Sequence, residues 1–377
     1  MNSLRHKIEQ EIRERGPIPF SRYMELCLYD PELGYYSRNA AQFGKAGDFY
    51  TSSDVHAVFG RLLARQFDEM WRVLGAPERL TVKELGPGRG LFAQDVLDWS
   101  GKKFPGFFHA LRYVLDERSP ALRERSAATL ARHLESGKAA FSESGDIGVP
   151  MIVFANEFFD ALPVEVISAE GTLRVDTRGG HFIETWVPPS PEELEFLDRY
   201  SIHPEPGERV EAALTAQHCA QQILSGLARG FFIAIDYGYT RDEQLAGRHR
   251  GTLKAIRQHS ASGNPYEAPG EQDITADVNF SALAAIAQQE GLQTQKVITQ
   301  SQFLLGIGEA NEFADAFQDC RLPQEHAKVA LQLKHLVTPA GMGESFQVLV
   351  AGKGVEKENV PILAGLSFGK NAAAKTI

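Results

Sequence analysis

An α/β fold built on a largely parallel sheet follows from three features of the sequence. The first is Thr81-Val82-Lys83-Glu84-Leu85-Gly86-Pro87-Gly88-Arg89-Gly90, a short strand that ends in a carboxylate and enters a glycine loop. Leu91 to Trp99 continues with helical spacing, and strand, glycine loop, helix is the opening unit of a nucleotide-binding α/β domain. The second is recurrence: apolar runs at 109–117, 138–141, 151–154 and 230–238 alternate with helical stretches. The third is composition. The chain has 377 residues, 43% hydrophobic and 23% charged, enough for one large domain with insertions or for two domains.

In chain order, Leu4 to Arg15 carries Leu4, Ile8 and Ile12 on one helical stripe, which Gly16-Pro17 stops. Phe20 to Tyr29 predicts a second helix, with Ser21 as a candidate N-cap. Residues 43–53 form a glycine-punctuated polar loop, readable as surface or as a flap over a ligand. Val55 to Leu74 is amphipathic and delivers the chain to the first strand. His109 to Glu117 predicts the second strand, Pro120 to Leu134 a helix, Lys138 to Phe141 a weak third strand and Met151 to Phe154 a fourth. Val164 to Val187 switches to a period of two and predicts an inserted antiparallel meander. A proline-rich linker follows, then a helix over Glu208 to Leu227 and a fifth strand over Gly230 to Gly238. Tyr239 to Asn279 is polar and loop-rich, and so long a stretch points to a lid. Ser281 to Glu290 predicts a helix, Gln293 to Thr299 a strand, Phe303 to Leu336 helix and Phe346 to Ala351 the last strand. The expected division is 1–80 helical and flap, 81–163 with 230–354 core, 164–229 insertion, 239–280 lid, and 355–377 tail.

The glycine loop constrains the ligand. Its pattern is Gly86-x-Gly88-x-Gly90, with Leu91 where a dinucleotide fold wants its third glycine, and no Lys-Ser/Thr follows to cradle phosphates. Glu84 just before the loop would repel a pyrophosphate but attract an ammonium. A nucleoside carrying a cationic amino-acid group, S-adenosylmethionine (SAM), satisfies both conditions. Asp116 and Glu117 end the second strand, where such folds accept hydrogen bonds from ribose hydroxyls. Asp146 lies in a loop on the adenine side. Ligands bind outside the carboxyl ends of the strands, which places Asn156, Glu157 and Asp160 beside the reacting centre. A net charge of −10 disfavours a nucleic-acid partner. Three scattered cysteines, no CxxC pair, no metal spacing, no membrane-spanning run and no signal-peptide core lead us to expect a cytoplasmic, metal-free protein.

Six motifs together, Gly47-Asp48-Phe49-Tyr50-Thr51-Ser52, Glu84 to Gly90, Asn156 to Val164, Ile235 to Gly238, Gly251-Thr252-Leu253 and Asp273 to Phe280, resemble in order the MidA-type family over nearly the whole chain. Asn156-Glu157-Phe158-Phe159-Asp160-Ala161-Leu162-Pro163-Val164 is the most specific of them. One departure is Ala255-Ile256, where a more aromatic or basic run is expected. The resemblance implies a class I methyltransferase with a Rossmann-like sheet, an N-terminal helical region, a β-meander insertion and a lid insertion. It implies SAM as cofactor, bound by Gly47, Asp48, Phe49, Thr51, Glu84, Gly86, Pro87, Gly88, Gly90, Asp116, Glu117, Asp146 and Asn156. By extension it implies a protein arginine as acceptor, on a respiratory complex I subunit or bacterial counterpart. Oligomerisation is left open.

Methyl transfer is an in-line displacement, so alignment should carry most of its acceleration. Arginine is a poor nucleophile, its charge delocalised and its pKa very high. Carboxylates must therefore hold it, and Glu157, Asp160 and Asp236 are the candidates. Asp236 can equally be a structural acid binding backbone amides, Asp160 a helix cap, and His259 a loop residue. Two other functions compete: a SAM-binding assembly chaperone without turnover, and a methyltransferase for a small molecule or nucleic acid. The Asn-Glu-Phe-Phe run lacks the Asn/Asp-Pro-Pro-Tyr signature of nucleic-acid amino methylation.

Overall fold

The computed structural model describes residues 3–38, 57–142, 148–257 and 260–368. Its central sheet contains strands β1 (Leu80–Leu85), β2 (Leu111–Asp116), β3 (Ala139–Phe141), β4 (Met151–Asn156), β5 (Gly230–Tyr239) and β6 (Phe346–Lys353). The order is β3-β2-β1-β4-β5-β6, parallel through β5, with β6 antiparallel to it. Gln293–Thr294 and Ile298–Thr299 extend the β6 edge. Strand order reverses between β1 and β4, and that switch point is where such sheets bind ligands.

Both faces of this sheet are covered, so the parallel strands read as apolar runs rather than alternations. Ile152 and Phe154 of β4, with Phe231, Ile233 and Ile235 of β5, join the core under helix Ala57–Val73. The intervening Val153, Ala155, Phe232 and Ala234 pack on the opposite face, against helices Leu214–Ser225 and Phe280–Gln289. The meander forms a second sheet: Glu165–Ser168, Gly171–Arg178 and His181–Val187 are antiparallel, and Ile18–Pro19 pairs with the middle strand. Helices Leu4–Arg15 and Phe20–Tyr29 share one buried cluster with Leu173, Val175, Ala255 and Ile274.

Several expected elements differ. Residues 209–212 form a strand, not the start of a helix, because Val210 and Ala212 bury against Ile167 in the meander. The second core strand begins at Leu111, since Pro105–Ala110 is helical with Pro105 in its first turn. Ser21 does not cap its helix; Pro19 holds that position and the Ser21 hydroxyl donates to Glu165. Phe303 to Leu336 is three helices, Gln300–Glu309, Ala314–Phe317 and Pro323–Val337, broken where Glu312 and Phe313 take positive φ and where Pro323 begins the last. The 239–279 stretch is not structureless. It contains helix Arg241–Leu245 and strands Lys254–Arg257, Ser260–Ser262, Asp273–Thr275 and Val278–Asn279. Tyr23 donates to the Pro265 carbonyl (2.8 Å), which ties this stretch to the N-terminal helices.

Candidate active site

The loop after β1 takes the left-handed backbone region three times: φ is +61° at Gly86, +53° at Gly88 and +74° at Gly90. Side chains are strained there, and the surroundings separate the three roles. A Cβ on Gly86 would lie 3.0 Å from the Phe158 ring, and one on Gly90 would press on Ser126 and Leu130. Among the described residues, a Cβ on Gly88 would meet nothing within 4 Å. Gly86 and Gly90 are glycine for close packing; Gly88 faces open space at the switch point. The Gly90 amide donates to the Pro87 carbonyl (2.9 Å) and closes the turn before helix Leu91–Lys103.

Glu84 is buried below this loop and accepts a hydrogen bond from the Tyr113 hydroxyl (2.8 Å). Among the described residues no cation pairs with it, and burial pushes its pKa up to about 8. A buried carboxylate that has a neutral hydrogen-bond donor and the Glu117 carboxylate for neighbours is a place for a ligand cation. The two acids at the end of β2 diverge. Asp116 pairs with Lys83 (2.8 Å). Glu117 turns to the glycine loop: the amides of Ser119, Arg118 and Gly88 donate to it, burial pushes its pKa up, and those amides oppose the shift.

The second half of the site follows β4. Asn156 donates to Glu157 (3.1 Å), while the buried Asn156 Oδ1 has no hydrogen-bond partner among the described residues. Glu157 has φ of +50°, a conformation non-glycine residues keep only where surrounding structure imposes it. What imposes it is the bond from its amide to the Ile235 carbonyl (3.0 Å) and the anchoring of the next residues by Asp236. Asp236 Oδ2 accepts from the amides of Phe158 (3.1 Å), Phe159 (3.0 Å) and Asp160 (3.3 Å), and Oδ1 from Tyr237 (2.9 Å). Burial and the Asp160 and Glu157 charges push Asp236 up, against four amides that favour its ionised form. Asp236→Asn replaces an acceptor with a donor before buried amides and should cost about 1–3 kcal/mol. Denaturant unfolding checks this; wild-type stability would count against the brace.

Burial likewise pushes Asp160 up, to about 7; Asp277 adds to the shift and Lys254 opposes it. Around Asp160 lie side chains that sequence reasoning missed. Tyr29 donates to the Ala161 carbonyl (2.9 Å), and its ring packs 5.5 Å from the Tyr36 ring. Tyr36 donates to Asp273 (3.0 Å). Tyr237 feels the charges of Glu157, Asp160, Asp236 and Asp277. Asp273 and Asp277 fall within a motif that the sequence displays, so their presence was readable. Their place was not, because antiparallel pairing of 254–256 with 273–275 brings them here. Gly47, Asp48, Phe49, Thr51, Asp146 and His259 lie outside the described residues.

Residues 62–298, well over half of the chain, match the model of a family of S-adenosyl-L-methionine-dependent methyltransferases. The chain belongs to this family. The mitochondrial protein arginine methyltransferase NDUFAF7 homolog of Drosophila melanogaster is 30% identical, over 94% of this chain and 85% of its own length. The protein arginine methyltransferase NDUFAF7 of Danio rerio, also mitochondrial, is 29% identical over 91% and 85%. A crystal structure from Burkholderia thailandensis with bound S-adenosyl-homocysteine superposes with a TM-score of 0.82 at 28% identity, covering 97% of this chain and 94% of that one. The fold is that of a class I methyltransferase, the chain is a SAM-dependent methyltransferase, and SAM is its cofactor.

The site fits that cofactor. Among the described residues, Gly88 leaves room against the backbone, Glu84 lacks a countercharge, and Asn156 Oδ1 lacks a donor. Linkage then gives a sign. A cation beside Glu84 lowers a pKa of about 8, so binding releases a proton below that pH and tightens as pH rises from about 6 towards 8. Calorimetry in two buffers of different ionisation enthalpy should show this release at pH 7; zero proton exchange would remove Glu84 from the ammonium site.

Proposed function

We propose that this methyltransferase acts on a guanidinium nitrogen of a protein arginine, on a respiratory complex I subunit or its counterpart. The observation that carries the reading is that Glu157 and Asp160, just after β4, both lie close enough to act on Asp236 and Tyr237 of β5, while Tyr29 bonds the Ala161 carbonyl beside Asp160. Carboxylates hold guanidinium through charge-assisted, paired hydrogen bonds, and an aromatic face favours its flat cation. The names of the relatives point the same way. SAM, held by Glu84, the 86–90 loop, Glu117 and Asn156, supplies the methyl group.

In this reading Glu157 and Asp160 orient one nitrogen, while Asp236 acts through the backbone it braces. Methylation leaves a proton to be lost, and a carboxylate with a pKa of about 7 is suited to accept it. The pH dependence follows. Asp160 must be ionised to hold a cation, so kcat/KM should rise with pH through about 7. The folded-state pKa is raised, so stability of the ligand-free protein changes oppositely, falling between about pH 4 and 7. A rate profile and melting curves over pH 5 to 8 check both signs; a flat profile would remove Asp160 from acceptor binding. The function itself is tested by incubating complex I subunits with the protein and SAM carrying a labelled methyl group. Mass spectrometry should find label on arginine. Label confined to another residue type would overturn the reading.

A further inference from the structure

Strand Lys254–Arg257 places a cation of this chain at the edge of the same carboxylate group. Lys254 Nζ donates to Asp277 Oδ1 (2.7 Å) and sits 5.6 Å from the Tyr237 ring centroid. Its charge is also felt at Asp160. A carboxylate, an aromatic face and a second acid nearby are the contacts an acceptor guanidinium needs. We propose that Lys254 is a resident stand-in for the acceptor: its ammonium occupies the cation place, and the substrate arginine displaces it. This rests on the arginine reading above.

The surroundings permit the exchange without rearranging the lobe. The backbone leading into the strand is pinned: Glu211 accepts from the Thr252 amide (3.1 Å), the Thr252 hydroxyl (3.0 Å) and the Leu253 amide (3.2 Å). Asp277 is held independently, its amide donating to the Thr252 hydroxyl (3.0 Å) and its other oxygen lying 3.2 Å from His249 Nδ1. Tyr237 is fixed against Phe346, ring centroids 3.9 Å apart. Lys254 alone among these groups has a long flexible stem, and its side chain is 46% exposed, so it can swing into solvent. A second consequence is selectivity. An intruding ammonium meets a site already filled by one, whereas a guanidinium gains paired hydrogen bonds that the lysine cannot make.

Removing a resident competitor should strengthen binding, whereas losing a purely structural ion pair should not. The lysine end of this pair is open to solvent, which weakens its hold on Asp277, so the expected change is about 2- to 5-fold. The probe is N-acetyl-arginine amide, titrated by calorimetry at about pH 9, where Asp160 is ionised with or without the lysine beside it, into wild-type, Lys254→Met and Lys254→Arg protein with SAM bound. Lys254→Met should bind the probe about 2- to 5-fold tighter, with SAM affinity unchanged; Lys254→Arg should stay near wild type. With an arginine peptide as substrate, Lys254→Met should lower KM and leave kcat nearly the same. Unchanged or weaker probe binding in Lys254→Met would overturn the proposal. So would failure of that variant to fold, which would place Lys254 in the scaffold. Wild-type protein that binds the probe yet never methylates arginine would refute the arginine function while leaving the exchange itself measured.

Discussion

Gly88→Val is expected to abolish SAM binding in a chain that still folds. Two effects combine. Valine at φ of +53° is a true backbone outlier, costing of the order of 1–2 kcal/mol. Its branched side chain then fills the open space in which the ligand is expected to meet the loop, since no atom of the described residues lies within 4 Å of that Cβ position. The Gly88 amide, which donates to Glu117, would shift as well, so that carboxylate is disturbed with the loop. Affinity should fall by at least about 100-fold, roughly 2.7 kcal/mol. Gly179→Val is the control: φ is +59°, open space surrounds it, and it lies on the meander turn between two strands far in sequence from the loop. It should bear a similar backbone strain and bind SAM normally. If Gly88→Val keeps its affinity by calorimetry, the ligand does not approach this backbone, and the assignment of the loop fails.

How far the sequence reaches can be argued from particular residues. Ile152, Val153, Phe154 and Ala155 are apolar in succession because alternate members face two different cores. Burial on both faces is a local property of composition, so the parallel sheet was legible. The left-handed glycines were legible for the same reason, since only their spacing was needed. Arg209-Val210-Glu211-Ala212 was not, because its strand pairing depends on a meander more than 40 residues upstream. The proposed acceptor pocket was half legible. Glu157 and Asp160 belong to a run adjoining a core strand. Tyr29, Lys254 and Asp277 come from a helix and an insertion whose docking no periodicity reveals. Asp236 was visible as an acid at the end of a strand. Its partners, three consecutive amides in another segment, exist only in the folded chain.

Glu157→Gln is the substitution expected to cost most in catalysis. Glutamine keeps the length and shape, so the strained backbone at φ of +50° and its bond to Ile235 should persist. Asn156 Nδ2 donates to Glu157 Oε1, and a glutamine carbonyl can accept that bond in its place. What is lost is one negative charge and one acceptor that, in the proposed function, faces the substrate. A guanidinium held on one side only can turn, and misplacement by about 1 Å can lower the rate about 100-fold. Turnover should therefore fall by roughly two orders of magnitude or more, while SAM affinity and melting temperature change little. Three measurements on this one variant separate the possible roles. Loss of SAM affinity in parallel with rate would move Glu157 into the cofactor site, next to the unpartnered Asn156 oxygen. Loss of melting temperature would make it a brace for the bend after β4. Glu157→Gly tells strain from charge: it relieves the positive φ, and by Gly's tolerance of that region should be at least as stable as the glutamine variant, yet equally slow. A glycine variant with wild-type turnover would show that the bend, not the carboxylate, is what catalysis requires at this position.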